Sequence, residues 1–413
     1  MVQIYRRKWR RGILTSLLGY IRDSLVLLMP CRHLPGFLIK LLYGVEIQFA
    51  FLVHPRAYHD VFVSLPFLAP MKIFLRKQKA YRFLFSFPPF VLNKIQTEQR
   101  TNGFVIALTT MPEMMLAERK RAEKMLHRAL VLVSKICKPS TVVGLGGWWP
   151  MVTQRGLSLH GAAESLGLII TNGHCGTLAS IYMMVEKIAT IGSIDLSNLS
   201  LAVIGVGKMG TNVAKAFNGK VKRMTLIDVN KGSLMKTKTL LESLGTKTKI
   251  EIFLFSEGAP PIREALDGHQ IGICATSTFR NLLKLKDMPH GFIAIDDSRP
   301  EALPRDPRKE RLIFEGGLLK IKGATIDYNY GFGEDDNVFG CLGEAFLVAL
   351  DKQKNLKPTL GGVDFQNLFL FLTLSKNSGV TAGDFKSGET YISDAEIYAA
   401  LVKRGFVKHA YEV

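Results

Sequence analysis

The sequence predicts an α/β fold organised around a doubly wound parallel sheet, and one stretch of the chain carries most of this prediction. Leu201–Ile204 is a short apolar run of the kind that a buried parallel strand requires. Glycines in G-x-G-x-x-G spacing follow it, and apolar residues then recur at helical spacing. A second apolar run, Thr225–Ile227, ends at Asp228. This order of strand, glycine turn, helix and strand predicts a Rossmann-like, dinucleotide-binding unit.

Each residue of the glycine turn has a predicted role in binding a dinucleotide. Gly205 makes the tight turn, Gly207 lets the backbone approach a pyrophosphate, and Gly210 lets the helix and the strand pack closely. The helix begins next to Lys208 and Met209, where free N–H groups and a partial positive charge favour the phosphates.

Three further residues complete the predicted cofactor site. Asp228 lies about 20 residues beyond the turn and is placed to accept hydrogen bonds from an adenosine ribose. Thr276 and Ser277 follow the predicted strand Ile271–Cys274, where small polar residues commonly face a nicotinamide ring. The alternative is an ordinary glycine-rich turn, but the flanking strand, helix and acidic residue together favour the dinucleotide.

Charge is concentrated near the start of the 413-residue chain. Residues 1–56 hold nine Lys and Arg against two acids, and residues 57–100 hold seven against two, so the first hundred residues carry +12 of the net +19. This distribution predicts an acidic protein partner or an anionic membrane surface, and a merely solvated surface is the alternative. No zinc-finger or RNP-like aromatic motif occurs, so we expect no nucleic-acid partner.

Cysteine usage predicts a reducing compartment. Five cysteines are widely spaced and form no C-x-x-C motif, which argues against a zinc ribbon or another metal site. We therefore expect free thiols and a cytoplasmic protein.

Composition and motifs divide the chain into four predicted segments. They are a basic amphipathic extension (1–47), an α/β substrate domain (48–195), a dinucleotide-binding domain (196–330) and a C-terminal helical segment (331–413). In the extension, apolar residues recur at helical spacing from Ile13 to Leu28, and Arg22–Asp23 interrupts the run. The helix is expected either to lie on the inner face of a membrane or to pack its apolar side on the protein.

The remaining elements follow from apolar runs and their breaks. Pro66 and Pro70 predict a loop or edge structure over Val61–Met71, and apolar spacing predicts a helix over Pro112–Val133. Runs of four to six residues predict strands at Phe49–Val53, Phe104–Leu108, Ile250–Phe255 and Phe292–Ile295, and shorter runs predict strands at Thr141–Val143 and Leu168–Ile170. Two helices, Lys231–Leu244 and Ile262–Leu266, are predicted after Asp228.

A polar turn interrupts the longest uncharged stretch, Ser165–Val185. The stretch is long enough to span a bilayer, but Thr171–Thr177 would need polar partners within the lipid. We therefore predict a strand, a glycine-rich turn and a buried helix over Leu178–Ile188. Turns of this kind often hold ligands, so His174 is a candidate catalytic residue, although a structural histidine is the alternative.

Near the C-terminus the sequence predicts a helix over Asp335–Leu350 that carries Cys341 close to its start. The helix dipole there favours a thiolate, the reactive form of cysteine. Glu344, one turn later, is a candidate to orient a proton or a water molecule. The alternative is that Cys341 is a small buried hydrophobe.

Several landmarks occur in the order found in one enzyme family. They are Pro112-Glu-Met114 before a basic helix, Leu145-Gly-Gly147, the turn Thr171–Thr177, the loop Gly205–Gly210, and Phe339-Gly-Cys-Leu-Gly-Glu-Ala345. In these landmarks residues 48–413 resemble the long-chain acyl-[acyl-carrier-protein] reductases of cyanobacterial alkane synthesis.

The resemblance implies a reaction. Cys341 would accept a fatty acyl group as a thioester from an acyl carrier protein or coenzyme A, and NADPH would reduce the thioester to a fatty aldehyde. His174 or Glu344 would donate the proton. The chain departs from the family at His174, where the family has Asn, and at Asp228, where an NADPH-preferring member has a small residue followed by Arg.

The identity of the dinucleotide remains open from the sequence. A carboxylate at Asp228 repels a 2′-phosphate and favours NADH, although Lys231 partly offsets this effect.

Two alternative functions remain open as well. One alternative is a glutamyl-tRNA-reductase-like enzyme, although its cysteine would be expected in the N-terminal domain. The other is a non-catalytic dinucleotide-binding membrane sensor.

Overall fold

The structure is a computed structural model that describes residues 12–74, 77–256, 260–276, 282–298, 301–326, 336–388 and 390–407. Contacts divide the chain into two units. The first unit comprises Arg7–Gly176 and Ile321–Val380, and the second comprises mainly Thr177–Lys320 and Thr381–Val413.

The described part of the chain contains sixteen α-helices, several of which are short. They are α1 (Ile13–Leu28), α2 (Gly36–Tyr43), α3 (Tyr58–Ser64), α4 (Met71–Phe74), α5 (Lys77–Leu84), α6 (Pro112–Ala117), α7 (Arg119–Ile136), α8 (Trp149–Val152), α9 (His160–Ser165), α10 (His174–Ile191), α11 (Lys208–Phe217), α12 (Lys231–Glu242), α13 (Ile262–Leu266), α14 (Gly340–Leu350), α15 (Phe365–Asn377) and α16 (Asp394–Lys403). Short 3₁₀ helices lie at Pro66–Leu68, Leu157–Leu159, Leu196–Asn198 and Leu285–Asp287. Among the described helices, none combines the length and the apolar character needed to cross a bilayer.

The strands are mostly three to seven residues long. They are β1 (Phe49–Val53), β2 (Phe90–Gln96), β3 (Gly103–Ala107), β4 (Val142–Leu145), β5 (Ile169–Thr171), β6 (Ser200–Ile204), β7 (Arg223–Asp228), β8 (Lys249–Leu254), β9 (Ile271–Cys274), β10 (Ile293–Asp296), β11 (Leu312–Glu315), β12 (Leu318–Ile321), β13 (Thr325–Ile326), β14 (Asn337–Phe339), β15 (Val380–Ala382), β16 (Lys386–Ser387) and β17 (Thr390–Tyr391).

The second unit contains the predicted Rossmann-type sheet. Its strand order is β11-β10-β9-β6-β7-β8, and every pairing in it is parallel. Numbered along the chain from β6, this is the order 3-2-1-4-5-6 of dinucleotide-binding folds. The strand order reverses between β6 and β9, and their carboxyl ends form the crevice in which such sheets bind ligands. The predicted doubly wound α/β class is therefore confirmed.

The first unit contains a mixed sheet. Its order is β13-β2-β3-β1-β4-β5, with β3, β1, β4 and β5 parallel and with β2 and β13 antiparallel to their neighbours. Helices α7 and α1 pack against each other, α1 also packs on β2, and α14 packs on β4 and β1. A helix from late in the chain therefore covers the centre of a sheet whose strands come mostly from its first half.

The structure corrects two predictions about the first unit. Val61–Met71 is not a loop or an edge, because α3, a 3₁₀ helix and α4 occupy it. Pro66 is tolerated at the first position of the 3₁₀ helix, where no N–H group is needed, and Asp60 accepts the N–H of Ala57 at 2.9 Å at the start of α3. The single helix predicted over Pro112–Val133 is two helices, α6 and α7, which meet at Glu118.

Candidate active site

The glycine loop of the second unit has the geometry that a pyrophosphate requires. Gly205 has φ +85°, and a Cβ on Gly210 would overlap the Gly205 carbonyl, so the turn is tight and the helix lies against the strand. A Cβ on Gly207 would meet nothing within 4 Å. Lys208 and Met209 are the first two residues of α11, so their N–H groups begin the helix beside this open space.

Asp228 lies beside the glycine loop, as the spacing predicted. It is the last residue of β7 and is half-buried. One carboxyl oxygen accepts the N–H of Val206 at 2.7 Å, and the other accepts the N–H of Asn230 at 2.8 Å. Carboxyl oxygens retain further acceptor sites, so this group is able to receive a ribose hydroxyl.

Thr276 lies at the crevice between β6 and β9. Its N–H donates to the Ser298 hydroxyl at 3.2 Å, and a Cβ on Gly205 would lie 3.0 Å from the Thr276 Cβ. Ser277, also predicted to face the nicotinamide, lies outside the described residues. The open space at the loop, the helix N-terminus and the Asp228 carboxyl together fit a dinucleotide.

Cys341 is the second residue of α14 and is half-buried. The predicted helix over Asp335–Leu350 begins too early, because Asn337–Phe339 forms a strand in which Asn337 and Val338 are buried. The thiol therefore lies in the first turn of the helix, where the dipole favours an anion most strongly.

Two glycines bring the polar turn after β5 against this part of α14. Gly173 has φ +75°, and a Cβ on it would overlap the Cβ of Cys341. A Cβ on Gly176 would overlap the carbonyl oxygen of Gly340. The structure thus brings together two regions that the sequence predicted separately, the ligand-binding turn and the cysteine. The turn is shorter than predicted, because α10 begins at His174.

Glu344 is fully buried and joins three segments of the first unit. One carboxyl oxygen accepts the Thr171 hydroxyl and the Thr359 N–H, the latter at 2.9 Å. The other accepts the Gly176 N–H at 2.9 Å, in the first turn of α10. Since both oxygens receive protein donors, this geometry makes Glu344 a positioning residue for α14 and the turn.

His174 is neutral at neutral pH. Burial, reinforced by the charge of Arg155, lowers the pKa of His174 to about 4. Its backbone N–H donates to the Asn172 side-chain oxygen at 3.0 Å, which fixes the start of α10. The imidazole is therefore available as a hydrogen-bond donor or acceptor and not as a cation.

A strained loop that sequence patterns did not reveal lies beside the turn. Gln154, Arg155 and Gly156 have φ values of +51°, +59° and +86°. The Arg155 carbonyl accepts the Asn172 side-chain amide and the Gly361 N–H, each at 3.0 Å. Consecutive left-handed residues are costly and cluster at functional sites. The loop forms an open pocket of about 490 Å³, lined by Pro150, Met151, Gln154, Arg155 and Leu157.

Exposure separates Cys341 from most of the other cysteines. Cys175, also in the first turn of a helix, is fully buried, and burial raises its pKa. Cys137 and Cys274 are buried as well, and burial raises the pKa of each. Only Cys31 shares the half-buried state of Cys341, and it lies outside both the turn and the glycine loop.

No family model matches the sequence, and no curated protein matches it. Solved structures do match parts of it. The nucleotide-binding domain of glutamyl-tRNA reductase from Thermoplasma volcanium is 17% identical, over 33% of this chain and 84% of that one, with a TM-score of 0.26. Ligand-free 5-ketofructose reductase of Gluconobacter is 10% identical, over 81% and 99%, with a TM-score of 0.33. Shikimate 5-dehydrogenase from Listeria monocytogenes, in complex with shikimate and NAD, is 12% identical, over 64% and 80%, with a TM-score of 0.30. At these scores the likenesses carry no inference about chemistry.

The close approach at Gly176 predicts a stability effect. Gly176→Ala places a methyl group on the Gly340 carbonyl, so we expect the free energy of unfolding to fall by about 1–3 kcal/mol in urea titrations. Gly161→Ala on α9 is the matched control, because its Cβ meets nothing within 4 Å. A Gly176→Ala variant as stable as the control would contradict the described packing.

Buried histidine predicts a pH dependence of stability. As the pH falls from about 6.5 to about 4, an unfolded histidine binds a proton while folded His174 does not, so the free energy of unfolding decreases. Replacing His174 with Gln should make this decrease smaller in urea titrations at pH 7 and pH 4.5. Part of it should remain, because burial also lowers the pKa of His54 and of His269 to about 4. The control is His127→Gln, because His127 is exposed. If the free energy of unfolding of His174→Gln decreased with pH as much as that of the parent protein, the contribution assigned to buried His174 would be wrong.

Proposed function

We propose that the protein is an NAD(P)H-dependent oxidoreductase that reduces a long-chain fatty acyl thioester to a fatty aldehyde through a thioester on Cys341. The observation that carries the proposal is the half-buried cysteine in the first turn of α14, held against the turn at Gly173. The chain also contains a Rossmann-type unit with a glycine loop able to admit a pyrophosphate.

The proposed chemistry at Cys341 has two stages. The thiolate attacks the carbonyl carbon of the acyl donor, the bond from that carbon to the donor sulfur breaks, and the donor leaves as a thiol with one proton. A reduced nicotinamide, when bound, supplies the hydride for the acyl carbon and is oxidised. Loss of the Cys341 sulfur from that carbon then releases the aldehyde and restores the thiolate. The proton for the leaving sulfur comes from water, and neutral His174 is proposed to relay it by donating its ring N–H proton while its other ring nitrogen accepts one.

The identity of the dinucleotide depends on Asp228. Its carboxyl group beside the loop is suited to the ribose hydroxyls of NADH and repels the 2′-phosphate of NADPH. Lys231, exposed at the first position of α12, supplies a nearby positive charge that favours NADPH. We propose NADPH, in line with the resemblance, and the assay below includes both dinucleotides.

The basic start of α7 supports an acidic acyl donor, an acyl carrier protein or coenzyme A. Arg119 on α7 donates to the Val152 carbonyl at 2.7 Å, and the Ser158 hydroxyl donates to Glu123 of α7 at 3.1 Å. The helix therefore runs beside the loop that carries Arg155. Its exposed cations, Lys120, Lys124 and Arg128, offer a positive surface next to the candidate site.

The proposal predicts aldehyde formation that depends on one sulfur. The purified protein, incubated with C16 or C18 acyl carrier protein or acyl coenzyme A and with NADPH or NADH, should release a fatty aldehyde that gas chromatography with mass detection identifies. Cys341→Ser should reduce the rate by at least about a thousandfold, because the hydroxyl is a far weaker nucleophile at this site.

The control is Cys31→Ser, which removes the other half-buried thiol and should keep full activity. Nucleotide affinity, measured by fluorescence titration, should be the same in both variants. If the protein binds nucleotide but forms no aldehyde with any donor and dinucleotide, the proposed reductase activity is refuted and a non-catalytic sensor is favoured. Equal activity in Cys341→Ser would refute the thioester.

A further inference from the structure

Helix α1 exposes most of its large apolar residues, whereas its buried residues are Ser16, Asp23 and Val26. Ser16 and Asp23 are completely buried. Five apolar side chains, each 44% to 79% exposed, follow one another at spacings of four and three residues and so share one face: Leu14, Leu18, Ile21, Leu25 and Leu28. We call this set the leucine face. A helix that packs its apolar side on its own domain would show the reverse arrangement.

A buried carboxyl group fixes this orientation. Asp23 accepts the Arg22 side chain at 2.8 Å, the Tyr43 hydroxyl at 2.9 Å and the Val91 N–H at 2.7 Å. These bonds join α1 to α2 and to the sheet strand β2. Turning the leucine face inward would break the bonds from Tyr43 and Val91 to Asp23, so these bonds stabilise the orientation in which the leucine face points outward.

A buried amino group holds the other end of α1. Lys135 on α7 donates to the carbonyls of Val26 at 3.2 Å and Leu27 at 2.8 Å, and also to that of Met29. A cation at the C-terminal carbonyls is the favourable partner of a helix dipole. Hydrogen bonds at Asp23 and at Lys135 therefore fix α1 in the orientation that exposes the leucine face.

Exposed apolar side chains continue beyond α1. On the adjoining α2, Phe37 and Leu41 are 70% and 76% exposed. On another side of α1, the ring of Tyr20 lies 5.2 Å from that of Phe87, which lies 4.9 Å from the half-exposed Phe83 of α5. Singly exposed apolar residues need no explanation, whereas a group such as the leucine face is typical of an interaction surface.

The elements that adjoin α1 carry several exposed cations. Exposed cations stand on α2, α5 and the connection after α1: Arg32, Lys40, Lys79 and Arg82. The acids of this region are engaged locally, since Glu46 pairs with Lys138 at 2.5 Å and Asp60 accepts backbone N–H groups. Five more cations, Arg6, Arg7, Lys8, Arg10 and Arg11, precede α1 in the sequence.

We propose that the leucine face, with Phe37 and Leu41 of α2, is a surface that docks on a bilayer of anionic lipids, with α1 lying in the plane of the interface. Apolar side chains enter the boundary between headgroups and acyl chains, and the flanking cations attract the lipid phosphates. A second copy of the chain is a poorer occupant, because pairing two leucine faces would bring two positive surfaces together.

Vesicle sedimentation of the full chain tests this proposal. The protein should bind vesicles of phosphatidylcholine with 30% phosphatidylglycerol at least tenfold more tightly than vesicles of phosphatidylcholine alone, and 0.5 M NaCl should weaken the binding several-fold. Leu18→Ser with Leu25→Ser should lower the partition coefficient at least tenfold. Because both side chains are exposed, the variant should fold, which circular dichroism verifies.

The matched control replaces two exposed apolar residues of the second unit, Met235→Ser with Leu244→Ser, and should bind like the parent protein. Equal binding by the Leu18→Ser, Leu25→Ser variant, or no binding of the parent to anionic vesicles, would overturn the proposal. So would a dimer in analytical ultracentrifugation that this variant dissociates. No acyl donor or dinucleotide is present, so the result is independent of the aldehyde assay.

Discussion

The buried carboxyl group of Glu344 is the constraint on which the candidate site depends. It accepts hydrogen bonds from the end of β5, from the first turn of α10 and from the segment at Thr359. The turn at Thr171–Gly176 lies far from α14 in the sequence, so its contact with α14 is maintained by these bonds and by the two glycines that admit α14. Cys341 lies half-buried at this junction, three residues before Glu344, so the carboxyl group helps to hold the helical turn that carries it.

A second buried carboxyl group acts in the same way on the other surface of interest in the first unit. Asp23 ties the buried side of α1 to α2 and β2, and so keeps the leucine face outward. In both places a polar group inside the unit decides which residues remain accessible outside it. The two proposed functions are chemically compatible, because a fatty aldehyde is an apolar product that partitions into lipid.

Local patterns predicted the second unit well and the first unit less well. The elements from β6 to β10 follow from short apolar runs, and Gly205, Gly210 and Asp228 have the geometry that their spacing implies. Prolines misled the prediction for Val61–Met71, because Pro66 begins a 3₁₀ helix there. No local pattern could have indicated that α14 packs on β1 and β4, or that Arg155 lies beside Asn172, since these contacts link distant segments. Gln154 and Arg155 have positive φ although neither is glycine, so their residue types gave no indication of this backbone conformation.

The most direct test is to find where an acyl group is attached. The protein would be incubated with a palmitoyl thioester donor and no dinucleotide, quenched in acid and digested, and its cysteine peptides would be examined by mass spectrometry. We expect one palmitoyl adduct, on the Cys341 peptide, that hydroxylamine removes and that the other four cysteines do not carry. An adduct on another cysteine, or none on Cys341, would contradict it.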